Sequence, residues 1–171
     1  DKESPVEHDY LIKLQEFVQN LEKVGAKIIR NKAPKLDTER HFMNYLSLVG
    51  ASDSEHFTQS EINNLISGVN ALNNEHVSRI CGTRFKGLSI SHREWLKLNL
   101  IRNKNRLIFD EFFEDIDILL TPAAGSPAFK HDQNGPRYSR FLTINRKDYP
   151  EMAQLFWSGY SGVVGLPSVV G

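Results

Sequence analysis

Apolar residues recur at three- and four-residue spacing through the first part of the chain. Leu11, Leu14, Phe17, Val18, Leu21 and Val24 form the series, with Lys13, Glu16, Gln19 and Glu22 between them. This spacing lays one apolar stripe along a helix and predicts an amphipathic element resting on something larger. Ser4 and Glu7, three residues apart with Pro5 between them, have the pattern of a capping box and predict the helix start. Gly25 predicts a left-handed stop. Residues 26–29 then read as a short β-prone run, closed by the polar and proline-containing cluster at 31–34.

The same periodicity predicts helices in the middle of the chain. Asp37 or Thr38 can cap a helix that turns Phe42, Tyr45, Leu46 and Val49 inward and ends at Gly50. Thr58 with Glu61 repeats the capping-box pattern ahead of Ile62, Leu65, Ile66, Val69 and Leu72. Residues 75–87 fit one more short helix. Ser91 with Glu94 opens the longest, running through Trp95, Leu98, Arg102 and Leu107 to about Phe113.

Beyond it the pattern changes. Ile118, Leu119 and Leu120 are contiguous and Pro122 cannot continue a ladder, so residues 117–121 read as a buried strand and 122–127 as a loop of small residues and prolines. A turn at 134–136 precedes a β-prone run at 141–144, and a last helix is expected over about 150–160 with Met152, Leu155 and Phe156 inward. Helices interleaved with short strands belong to α/β architecture. The chain opens on Asp1 without a methionine and closes on Val169, Val170 and Gly171, which read as an interrupted strand; a fragment of a larger domain is the expectation.

Composition narrows the function. With 171 residues the chain suits one domain or part of one, and 21 basic against 21 acidic residues leave no net field to attract a polyanion. Nucleic acid is therefore not an expected partner. No apolar run approaches the roughly 20 residues that cross a bilayer. The single cysteine, Cys81, forms no internal disulfide and reads as a small buried side chain in a reducing, cytoplasmic compartment. A nucleophilic role for it would require a base such as His76, five residues upstream.

Other residues invite a chemical reading, and each has a structural one beside it. Ser161 lies in Gly159-Tyr-Ser-Gly162, but the second glycine comes one residue too early for a nucleophile elbow and no strand precedes it; a closely packed helix end is favoured. His131 beside Asp132 resembles a base and its orienting acid, although neighbours in an extended loop point apart. His92 has no second ligand at helical spacing, and no metal or cofactor site is expected. Arg93, Lys97, Arg102, Lys104 and Arg106 make a basic helix face that Glu111, Glu114, Asp115 and Asp117 are placed to neutralise in part.

Several stretches taken together carry a resemblance. Ser91-His-Arg-Glu-Trp95, Arg102 and Arg106, Phe112-Phe-Glu-Asp-Ile-Asp-Ile-Leu-Leu-Thr-Pro122, Ala128-Phe-Lys-His-Asp132, Phe156-Trp157 and Gly165-Leu-Pro-Ser168 occur in the order seen in the latter half of amidase signature enzymes. Ser4-Pro-Val-Glu7 and Gly25-Ala-Lys-Ile28 are similar to the helix and strand after that family's catalytic core. The resemblance implies part of an α/β/α fold around a mixed sheet, helix-rich with a few strands. It also implies hydrolysis of carboxamide C–N bonds by a Ser, cis-Ser, Lys triad. That triad belongs to an earlier glycine- and serine-rich region with no counterpart here, so no residue of this chain inherits a catalytic role. Gly162 also departs from the asparagine that many members place before Gly-Leu-Pro.

By the same resemblance, the loop after the Leu120 run lies near an acyl pocket. Pro122, Ala124, Phe129 and Trp157 are the candidate pocket walls, each with a core-filling role as its alternative. The implied partners are a small-molecule amide and the remaining N-terminal amidase portion. The competing reading is a non-catalytic helical binding module.

Overall fold

A computed structural model of the chain describes residues 1–170. Six helices form: α1 (His8–Lys23), α2 (Thr38–Ser52), α3 (Gln59–Ala71), α4 (Glu75–Gly87), α5 (His92–Phe112) and α6 (Leu155–Gly162). Between α5 and α6 lies one antiparallel hairpin of β1 (Phe141–Ile144) and β2 (Lys147–Pro150), and a 3-10 turn at Glu151–Gln154 leads into α6. The molecule is helix-rich with a small two-stranded sheet, which is compatible with an α/β class.

Helix starts follow local chemistry where the sequence offers a cap. Thr58 and Ser91 both complete capping boxes, with Glu61 and Glu94, and the side chains of Asp37 and Asn74 cap α2 and α4. The box expected at Ser4 does not form. Ser4 is buried with its hydroxyl unpartnered, and the helix begins only at His8. Its first amides are taken by groups far along the chain: Glu7 N donates to Gly125 O at 2.8 Å and His8 N to Asn145 Oδ1 at 3.0 Å. Tertiary acceptors replace the local one.

The core is built around α2, which packs on α4, α5 and α6, while α3 packs on α4. Phe42, Leu46, Val77, Ile80, Phe109 and Phe156 are fully buried there, and Phe42 meets Phe156 edge to face at 5.4 Å. Each such side chain contributes about 1.5–3 kcal/mol by leaving water. Gly50 does not end α2, which continues to Ser52; it is a crossing point instead. A Cβ on Gly50 would lie 2.3 Å from Arg84 O and 2.8 Å from Gly87 Cα, so the two glycines let the α2 and α4 backbones touch.

Three expected strands are absent. Residues 26–29 and 117–121 are irregular, and Val169 and Val170 are exposed without strand structure; Gly171 lies outside the described residues. A strand exists only by pairing its backbone, and among the described residues the one ladder is β1 with β2. Several apolar side chains of these runs face outward, Ile118 at 73% exposure and Val169 at 98%, while Leu119 packs against the core. Helix α1 has the predicted stripe and the Gly25 stop (φ 98°), yet none of its residues is buried.

The hairpin was expected only in its first strand. Asn145 and Arg146 connect the strands with φ of 51° and 65°, the left-handed pair of a two-residue hairpin turn. Asn145 both takes the His8 amide and donates from Nδ2 to Val6 O at 2.9 Å, tying the turn to the entry of α1. The first residues are pinned in a second way: buried Glu3 sits 2.5 Å from Arg79 on α4, which also pairs with Glu39 on α2 at 3.2 Å. The Glu3–Arg79 contact is one of charge rather than a directed hydrogen bond, since no donor is aligned on that Oε2.

Candidate functional site

The small-residue loop at 122–127 hangs by three hydrogen bonds from two distant elements. Gly125 N donates to the side-chain oxygen of Gln154 at 2.8 Å, Gly125 O accepts from Glu7 N at 2.8 Å, and Ala123 N reaches the Tyr10 hydroxyl at 3.4 Å. Only glycine fits the middle of this loop, because a Cβ on Gly125 would stand 2.5 Å from Pro5 O. Ser126 Oγ and Gln154 Nε2 are buried beside these contacts without partners. The loop is thus held by α1 and by the helical turn before α6, with spare polar capacity at its base.

The four candidate wall residues occupy two neighbouring segments. Pro122 and Ala124 are half-buried in the loop itself. Trp157 lies on α6, one turn beyond the Gln154 that anchors the loop, so the hydrogen bond brings the two segments together. Its ring packs on Phe156 at 5.0 Å and on the side of Tyr160, and its indole N–H is buried without an acceptor. Phe129 is 53% exposed in the irregular stretch after the loop, and among the described residues its ring pairs with no other aromatic ring. Gln154 and Tyr10 were missed from the sequence. No spacing announces them, because they meet the loop only through the fold.

Groups with nucleophilic or basic chemistry are separated. Burial pushes the Cys81 thiol up to about 12, which makes it inert at neutral pH. His76 faces the Tyr149 ring at 6.0 Å. Ser168 donates to the Ser161 hydroxyl at 2.7 Å, and no lysine or histidine hydrogen-bonds either among the described residues. His131 Nδ1 meets the Gln133 amide at 3.4 Å while Asp132 accepts from Asn134 N at 2.9 Å, so that pair does not form a dyad. Ser161 instead belongs to a tightly packed helix: a Cβ on Gly159, two residues earlier, would be 2.5 Å from the Tyr45 ring.

The arrangement defines a class before it defines a family: a helical scaffold that braces a small-residue loop against an aromatic helix, without an assembled nucleophile and base. The chain belongs to the amidase family, whose family model, described as Amidase, matches residues 1–163. No curated protein and no solved structure matches the chain. The family match bears out the resemblance over residues 1–163, and with it a relationship to amide hydrolases; Gly165-Leu-Pro-Ser168 lies beyond the matched residues. Among the described residues no helix is long and apolar enough to cross a membrane.

Proposed function

We infer that this chain is the later portion of an amidase that hydrolyses carboxamide C–N bonds through an acyl-serine intermediate, and that it supplies scaffold and pocket wall rather than the reacting groups. In that reaction a seryl oxygen adds to the amide carbon, the C–N bond breaks, and the amine leaves with a proton. Water then cleaves the acyl-serine ester to a carboxylate and restores the serine. The serine and its lysine base belong to an N-terminal portion that packs against this one.

The unpartnered apolar surface carries this reading. Helix α1 exposes Leu11, Ile12 and Phe17, and the strand-patterned residues Ile118 and Leu120 are exposed beside irregular backbone. Sequences patterned for a helix on a sheet, with the sheet missing, are accounted for by a partner portion that provides it. Pro122, Ala124, Phe129 and Trp157 then face the acyl group of a small amide, with their apolar surfaces as the contact. A cytoplasmic setting belongs to the same reading, supported by the single buried thiol.

The test is active-serine labelling with a fluorophosphonate probe, performed on this chain alone and on it co-expressed with the preceding part of its open reading frame. Label and carboxamide turnover are expected only in the pair, on a serine outside this chain. In the pair, Trp157→Ala is expected to raise KM for an aryl-acyl amide by about tenfold, the loss of roughly 1.4 kcal/mol of contact. Labelling of Ser161 with turnover by the isolated chain overturns the reading.

A further inference from the structure

The basic residues of α5 lie on two sides of the helix, Lys104 on one and Arg102 with Arg106 on the other, and the acidic residues that follow do not neutralise them. Arg93, Lys97, Arg102, Lys104 and Arg106 form no ion pair among the described residues, and the nearest downstream acid with a partner, Asp115, approaches Lys32 at 4.0 Å instead. Where the side of α5 that carries Lys104 meets the start of α2 there is a cleft of about 240 Å³. Lys35, Arg40 and Lys104 stand exposed around it, while Leu36, Ile101 and Ile108 line it half-buried. None of the three cations pairs with a carboxylate. The one acid in the lining, Asp37, is occupied as the cap of α2, accepting from Arg40 N at 3.0 Å.

Asn105 completes the lining and gives the cleft a connection inward. Its Nδ2 donates to His41 Nδ1 at 2.9 Å, and its own oxygen accepts no hydrogen bond among the described residues. His41, buried behind it, donates from Nε2 to Tyr160 O on α6 at 2.9 Å. Anything that binds the Asn105 amide therefore touches a relay that ends in the core.

From this juxtaposition of three cations against the single Asp37 carboxylate, an apolar lining and an amide, we propose that the cleft between α2 and α5 binds a small carboxylate with a short aliphatic tail. The cations hold the carboxylate by charge-assisted hydrogen bonds, and Leu36, Ile101 and Ile108 take the tail out of water. The size supports a small ligand, since 240 Å³ lies below the roughly 300–1,000 Å³ of pockets for drug-sized molecules. A phosphate would satisfy the charges and leave the apolar lining wet. A neutral amide of the same tail would do the reverse. The site shares no lining residue with the 122–127 loop or Trp157, and it stands whether or not the amidase reading does.

The experiment is a titration of the isotope-labelled chain with hexanoate, hexanamide and inorganic phosphate, followed by NMR at the Asn105 side-chain amide and the His41 ring. Hexanoate is expected to shift both signals saturably, with affinity at least about tenfold above that of either control. The surface variant Arg40→Gln/Lys104→Gln is expected to lose about tenfold in hexanoate affinity with its melting temperature unchanged. Equal binding by phosphate, equal binding by the variant, or shifts confined to Trp157 overturns the proposal.

Discussion

Helices α1 and α2 are written in the same code and end in opposite environments. Each has an apolar stripe at helical spacing and polar residues opposite, yet Phe42 and Leu46 of α2 are 1% and 0% exposed while Leu11 and Phe17 of α1 are 37% and 52% exposed. The difference lies in what surrounds them. Helix α2 has α4, α5 and α6 on its flanks, whereas α1 is attached mainly at its first turn, through Glu7, His8 and Tyr10. An amphipathic pattern reports that a helix has a partner, and says nothing of which stretch of chain supplies it.

The comparison breaks most cleanly by truncating one aromatic in each helix. Phe42→Ala should cost about 3–5 kcal/mol in a urea melt, because it removes a fully buried ring from between α2 and Phe156 and leaves a cavity. Phe17→Ala in the same chain should change stability by less than about 0.5 kcal/mol. If the amidase reading is right, the order tightens once the N-terminal portion is present, and Phe17→Ala becomes costly in the complex. Equal costs in the isolated chain would show that α1 is already packed.

A smaller effect is expected where α2 crosses α4. Gly50→Ala inserts a methyl group where Arg84 O and the Gly87 backbone leave no room, and neither is a flexible side chain that can swing away. The helices must part, at a cost of roughly 1–3 kcal/mol despite alanine's better helix propensity. Gly162→Ala is the control on α6, since nothing lies within 4 Å of its added Cβ. A melt that ranks Gly162→Ala as the more damaging would contradict the crossing geometry.

These contrasts explain what was legible in the sequence. Helices α2, α3 and α5 were readable because cap, period and burial all act within one segment, as at Thr58–Glu61 and Ser91–Glu94. The runs at 26–29 and 117–121 were read as strands from side-chain pattern alone, but a strand is completed by a neighbour that these residues do not contain. Gly50 was misread for a related reason: a stop and a crossing need the same residue, and only the position of Gly87 tells them apart. At the candidate site, the wall residues came from resemblance, while the groups that hold the loop, Gln154 and Tyr10, depend on contacts across more than one hundred or nearly thirty positions.

The smallest expected effect concerns the one buried titratable group of α2's first turn. His41 is neutral with the proton on Nε2, since Tyr160 O can only accept and Nδ1 is left to accept from Asn105. Burial holds its pKa below the ordinary 6.5, with the Tyr160 hydrogen bond acting more weakly in the opposite direction. The unfolded chain therefore takes up this proton at a higher pH than the folded one. The stability linked to it is complete above about 6.5 and is lost as the pH falls from there through the folded value. Urea midpoints between about pH 7.5 and pH 5 should decline in the native chain and decline less in His41→Gln, at a pH still above the range where carboxylates titrate. Equal slopes for the native chain and His41→Gln would mean that the imidazole is hydrated, and that α2 is less closed than its neighbours imply.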